Sequence, residues 1–284
     1  MFTLADAGLR VEVLDPGAAV ELPRQGLRFC HGGYIWQVRD ERLGPLLSGP
    51  EYPEPAPLPF NGQGLPESFR HRTRDGRPLT WRGGEGLAPG IGRLQLDGRG
   101  EPTLVAPCAW SVTRLPGQLV FQTRDAGAGL AYELARQLEL RERVLFSRTQ
   151  LTNTGPGPLR LQWFAHPFWP LRDGAAHVRL PAGTRLADNP GFAVDAAGEL
   201  RFRRPFRTPE DHQFALLELP PGRPLALNLD HPLLPRVEFA ASFAPDECPV
   251  WANARTVSVE PYLTLALAPG ETSHWELRHT FPAT

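Results

Sequence analysis

Apolar and polar residues alternate with a period of two along much of the chain. Leu9, Val11 and Val13 alternate with Arg10, Glu12 and Leu14, and Leu119 and Phe121 with Val120 and Gln122. In 161–166, Leu161, Trp163 and Ala165 take one side and Gln162, Phe164 and His166 the other. Towards the C-terminus Val257, Val259, Leu263, Leu265 and Leu267 mark one face, and Thr256, Ser258, Glu260, Tyr262 and Thr264 the opposite one. Such alternation belongs to strands, whose side chains point to opposite faces in turn. Turn signals separate the runs: DPG at 15–17, LPG at 115–117, TGPGP at 154–158 and APG at 268–270. Many short strands with frequent turns predict an all-β fold, a sandwich or a barrel of antiparallel sheets.

Two regions depart from this pattern. The segment 131–146 is rich in Ala, Leu, Glu and Arg, which favour helix. Its apolar residues nevertheless fall on even positions, from Tyr132 to Phe146, interrupted by Arg136 and Glu142. Strands are expected here, with helix as the alternative. Residues 44–93 are dense in Pro and Gly and read as long loops covering one end of a sheet. Phe60, Leu65, Phe69 and Trp81 argue against disorder there.

Composition narrows the function. The 284 residues include 41% hydrophobic ones, enough for a large core, and 1–284 is read as a single domain. The 30 basic residues, all arginine, balance 31 acidic ones, so no nucleic-acid partner is expected. Cys30, Cys108 and Cys248 are far apart and form no CxxC pair. A reducing compartment and no structural zinc are the expectation. The first residues lack the basic and apolar regions of a signal peptide, and no apolar run approaches a membrane span. A cytoplasmic protein with no membrane partner, a monomer or homodimer, is expected.

The chain has no phosphate-binding loop, GxGxxG, HExxH or GxSxG motif. His166 draws attention because it ends an alternating strand and is followed by Pro167, Phe168 and Trp169. Most strand-end histidines are inert, but this one combines a polar face with adjacent aromatics, the mixture from which sugar pockets are built. Glu260 precedes Pro261 inside a strand pattern. A carboxylate on a solvated face is the plain reading, yet a proline removes a ladder donor and belongs at an edge or bulge, where side chains are often re-aimed into a site. His71 lies among Arg70, Arg72 and Arg74, either an anion-facing loop or a solvated charge run. His212 reads as loop surface. Asp230 and His231 end an apolar run and face either a pocket or solvent.

The ordered set Asn153-Thr154-Gly155, His166-Pro167-Phe168-Trp169, Glu260-Pro261 and Pro269-Gly270-Glu271 resembles the galactose mutarotase (aldose 1-epimerase) superfamily. HGGYIWQV at 31–38 and NGQGLPESF at 61–69 add to the likeness, which runs roughly from residue 29 to 281. The resemblance implies a β-supersandwich that binds sugar on a concave sheet surface. It makes Glu260 the base and His166 the acid in ring opening of an aldohexose or hexose phosphate, with no metal and no cofactor. It offers Arg70 and His71 as upstream binding residues, Asp230, or else Asp246, as a hydroxyl ligand, and Trp169, Phe168 or Trp251 as the apolar floor. An ionised Glu260 beside a His166 held protonated by it is the expected charge state. The alternative is a non-catalytic carbohydrate-binding protein of the same fold.

Overall fold

The structure, a computed structural model, describes residues 1–283. Among them are 26 strands and one four-residue helix, Leu22–Gln25. The strands form five sheets, and every strand pairing is antiparallel. Ten strands make the largest sheet; its centre is Gln118–Gly127, Leu130–Arg141, Val144–Asn153 and Thr272–Thr280, side by side. A three-stranded sheet orders Tyr262–Leu267, Leu159–Ala165 and Glu67–Arg70. A five-stranded sheet contains Thr256–Val259 and Cys248–Ala252. One contiguous apolar core draws on all five sheets. Trp163 of the three-stranded sheet meets Trp275 of the largest sheet edge to face at 5.2 Å. Among the described residues no helix is long and apolar enough to cross a membrane.

The segment 131–146 is a hairpin, as its alternation predicts. Leu130, Tyr132, Leu134, Leu138 and Leu140 are buried on one face, and the chain turns at Glu142, whose φ is +53°. Arg136 does not interrupt this face. It occupies a core position and spends its charge on Glu67, Ser147 and the carbonyl of Gly32. Helix propensity lost to the burial of a period-two face.

The expectation for 44–93 needs correction. The stretch is not loop throughout, since it contains the strands Glu67–Arg70, Trp81–Arg82 and Glu85–Ala88. Its loop 46–65 is pressed onto the strand Ile35–Asp40. A Cβ on Gly64, at φ +77°, would lie 2.4 Å from the Ile35 carbonyl oxygen, so only glycine fits.

Pro261 marks a change of sheet. Thr256–Val259 lies in the five-stranded sheet, whereas Tyr262–Leu267 belongs to the three-stranded one. The apparently continuous alternation over 256–267 is therefore two strands. Glu260 sits at the break, its N–H donating to the Pro249 carbonyl at 2.8 Å.

Candidate active site

His166 and Glu260 meet because of strand register. Phe164 pairs with Tyr262 across the three-stranded sheet, and their rings stack at 4.6 Å with 6° between planes. Continued two residues beyond both strands, that register sets His166 opposite Glu260. His166 Nε2 lies 3.4 Å from Glu260 Oε1. The other ring nitrogen, Nδ1, is 2.9 Å from Ser258 Oγ, two residues before Glu260. Where Ser258 donates to Nδ1, the ring proton sits on Nε2 and faces the carboxyl group. The His166 backbone N–H donates to Pro66 O at 2.9 Å, and the imidazole stacks on Phe168 at 4.3 Å.

The pair forms the floor of a cleft of about 700 Å³. His166 is 3% exposed and Glu260 4%. Trp251, Phe168 and Tyr262 supply apolar walls, and Phe60 and Phe214 are exposed at the rim. Arg28, Arg70 and Arg74 also line the cleft. Arg74 is held by Glu247 at 2.5 Å and lies over the rings of Phe214 and Tyr262. Arg28 donates from Nη1 to the Phe60 carbonyl and is bracketed by the rings of Phe29 and Phe60.

Burial dominates the ionisation of the pair. It pushes the Glu260 carboxyl up to about 8, opposed by the charges of Arg28, Arg74 and Arg70. It drives His166 well below the usual imidazole range, assisted by Arg28. The expected charge state is therefore corrected: desolvation outweighs the attraction between the partners, and the free pair is neutral near pH 7.

The other residues singled out from sequence are scattered. Arg70 and Trp251 line the cleft. His71 lines an adjoining hollow, its Nδ1 accepting from Trp81 Nε1 at 2.8 Å. Trp169 is 1% exposed and belongs to the core beside His279 and Phe281, because its strand Trp169–Pro170 turns it away from the cleft. Asp230 is no part of the cleft; it follows the strand Ala226–Leu229 and its N–H donates to His177 O. Asp246 caps the neighbouring backbone, accepting from the Thr264 N–H. His231 is a buried turn fastener between Leu46 O and the N–H groups of Leu233 and Leu234.

Sequence reasoning missed Arg28, Arg74 and His212. His212 stacks on Trp251 at 6.0 Å and lines the cleft, although it was read as loop surface. Ser258 and Tyr262 were legible in part, since both share the alternating face of Glu260. Nothing in the local sequence flags Arg28, whose position depends on a loop packed across the cleft.

No family model matches the chain, and no curated protein matches it. Solved structures do. A galactose mutarotase related enzyme from Lactobacillus acidophilus is 13% identical with a TM-score of 0.62, covering 100% of this chain and 97% of that one. A galactose mutarotase-like protein from Lactobacillus casei is 12% identical with a TM-score of 0.61, covering 99% and 100%. An aldose epimerase homologue from C. elegans is 12% identical with a TM-score of 0.51, covering 100% and 98%. At such identities the agreement lies in the path of the backbone, and this chain has the galactose mutarotase-like fold.

Proposed function

We propose that the protein is an aldose 1-epimerase, a mutarotase that exchanges the α and β anomers of a sugar by opening and reclosing its ring. The observation that carries this reading is the approach of His166 Nε2 to Glu260 Oε1 at the floor of an aromatic-walled cleft. Anomer exchange needs one group to take the proton of the anomeric hydroxyl and another to give a proton to the ring oxygen. Both oxygens sit on one carbon, so the two groups must stand close together, as these do. The open aldehyde then turns about its C1–C2 bond and recloses with the roles reversed.

The proton count fits a pair that holds one proton. Ring opening moves that proton from one partner to the other through the sugar, and closure returns it. Glu260 acting as base with a protonated His166, and His166 acting as base with a protonated Glu260, are two tautomers of the same state, and one cycle visits both. Each positioned group is worth ~10²–10⁴-fold in general acid–base catalysis. Trp251 and Phe168 offer ring faces to the sugar C–H groups.

Polarimetry of freshly dissolved α-glucose and α-galactose tests the reading. Wild-type protein is expected to speed the change in rotation, and Glu260→Gln to remove the gain. Sugar binding by calorimetry with no acceleration for any aldose would reduce the protein to a carbohydrate-binding one.

A further inference from the structure

The cleft opens sideways into a second hollow of about 630 Å³. Arg28, Phe60, Arg70 and Tyr262 line both spaces, so a molecule held over His166 and Glu260 can extend past these four into the hollow. The hollow is lined by three guanidiniums, Arg28, Arg70 and Arg72, against one carboxylate, Glu101, which is exposed.

The three arginines are not spent on structural ion pairs. Among the described residues none of them has a carboxylate within ion-pair reach. Arg28 is tied only to the Phe60 carbonyl and to aromatic faces, and Arg72 lies over Trp81 at 4.9 Å. Arg70, partly buried, makes no hydrogen bond of its own. Like charges gathered in a half-dry space repel, and folding does not gather them without cost.

His71 points the same way. Trp81 Nε1 donates to its Nδ1, so the neutral ring carries its proton on Nε2. Burial and the neighbouring Arg72 and Arg70 keep the ring neutral, with its pKa lowered to about 4. The one acceptor nitrogen is therefore already used. What this side of the hollow offers a ligand is donors: guanidinium N–H groups and an imidazole N–H. Neutral sugar hydroxyls need donors and acceptors mixed, whereas a phosphate or carboxylate needs donors alone.

We propose that the hollow beside the His166–Glu260 cleft binds an anionic group, phosphate or carboxylate, of the same aldose whose anomeric carbon lies over the pair, with Arg70 as the principal ligand and Arg28 and Arg72 beside it. This deepens the mutarotase reading and rests on it for the position of the sugar ring.

Calorimetry on the purified protein tests it with glucose, glucose 6-phosphate, glucuronate and inorganic phosphate. At low salt the favoured anionic sugar is expected to bind at least about tenfold more tightly than glucose, the scale of one charge-assisted hydrogen bond. Inorganic phosphate should compete with it, and added salt should erode the advantage. Preference for glucose 6-phosphate alone assigns a phosphate, and equal preference for glucuronate assigns either anion. Arg70→Gln should remove most of the preference, and Arg70→Lys, which keeps charge but not the fork, should restore part of it. Thermal melts confirm that both variants are folded. Equal affinity for charged and neutral sugars, or a preference untouched in folded Arg70→Gln, overturns the proposal. Binding preference is read without catalysis, so absent anomer exchange with the preference intact sinks the mutarotase reading and leaves the anion site standing.

Discussion

Arg136 and Glu67 form an ion pair in the dry space between the largest sheet and the strand that ends in Arg70. Arg136 is 0% exposed and Glu67 2%. Ser147 Oγ accepts from Arg136 at 2.9 Å and donates to Glu67 at 2.7 Å, and Arg136 Nη1 reaches the Gly32 carbonyl at 2.8 Å. The pair ties together the chain segments that deliver Arg28 and Arg70 to the cleft.

Removing one partner leaves the other charge buried. Arg136→Met is therefore expected to cost about 3–5 kcal/mol, whereas Arg136→Met with Glu67→Leu, which removes both charges, should be far less damaging than the two single changes added. Urea unfolding of the four proteins measures the coupling. A loss below about 1 kcal/mol for the single variant, the scale of a surface pair, would show that water reaches the site.

The pH dependence of turnover follows from a pair that works with one proton. Glu260 faces His166, Arg28, Arg70, Arg74, Tyr262 and Cys248; burial pushes the last two up, Tyr262 to about 12, so both are neutral at working pH. The pair loses its last proton near the raised value of Glu260, about 8. The ratio kcat/KM is thus expected to be level around neutrality and to fall above about pH 8. A second proton is taken up only below the usual imidazole range, because His166 is lowered. A rate that instead climbs through pH 8 would mean that the doubly deprotonated pair is the active form.

Stability carries the opposite mark of the same burial. The Glu260 pKa is raised on folding, from 4.5 to about 8. The folded state then holds a proton that the unfolded chain gives up. Its stabilising contribution is complete below about 4.5 and is lost as pH rises through about 8. Glu260→Gln, neutral at every pH, escapes that loss. Thermal melts should find the variant more stable than wild type at pH 9, with the advantage shrinking towards pH 5. A wild type as stable as Glu260→Gln at pH 9 would show that the arginines compensate the charge fully. Such a gain alongside lost activity is the mark of a site that holds strain for function.

The all-β architecture was legible because period-two burial is a local property. His166 and Glu260 were legible as candidates, since each breaks its strand's pattern beside a proline. Their charge state was not: it depends on how much water the folded cleft excludes, which no local pattern encodes. Trp169 and Phe168 looked equivalent in sequence, but adjacent residues of an extended chain face opposite ways, so one walls the cleft and the other fills the core. Arg136 looked like a flaw in a strand because its partner Glu67 belongs to another sheet. Arg28 was silent for a similar reason, since its surroundings come from a loop folded over the cleft.

Ser258 offers a separate test of the pair, because it touches His166 and lies away from the sugar's side of the ring. Its hydroxyl is 0% exposed and is the partner of Nδ1. Without it the imidazole is free to change tautomer or tilt, and Nε2 no longer addresses Glu260 in one fixed way. Small misplacements of a catalytic group cost up to about 10²-fold in rate. Ser258→Ala is accordingly expected to lower kcat by about 10–10²-fold with little change in KM, since the walls that hold the sugar are untouched. The descending limb near pH 8 should persist, because Glu260 keeps its burial and its arginines. Stopped-flow polarimetry across pH separates the outcomes. A raised KM at unchanged kcat would place Ser258 in substrate binding, and an unchanged kcat at unchanged KM would mean that Phe168 stacking alone fixes the ring.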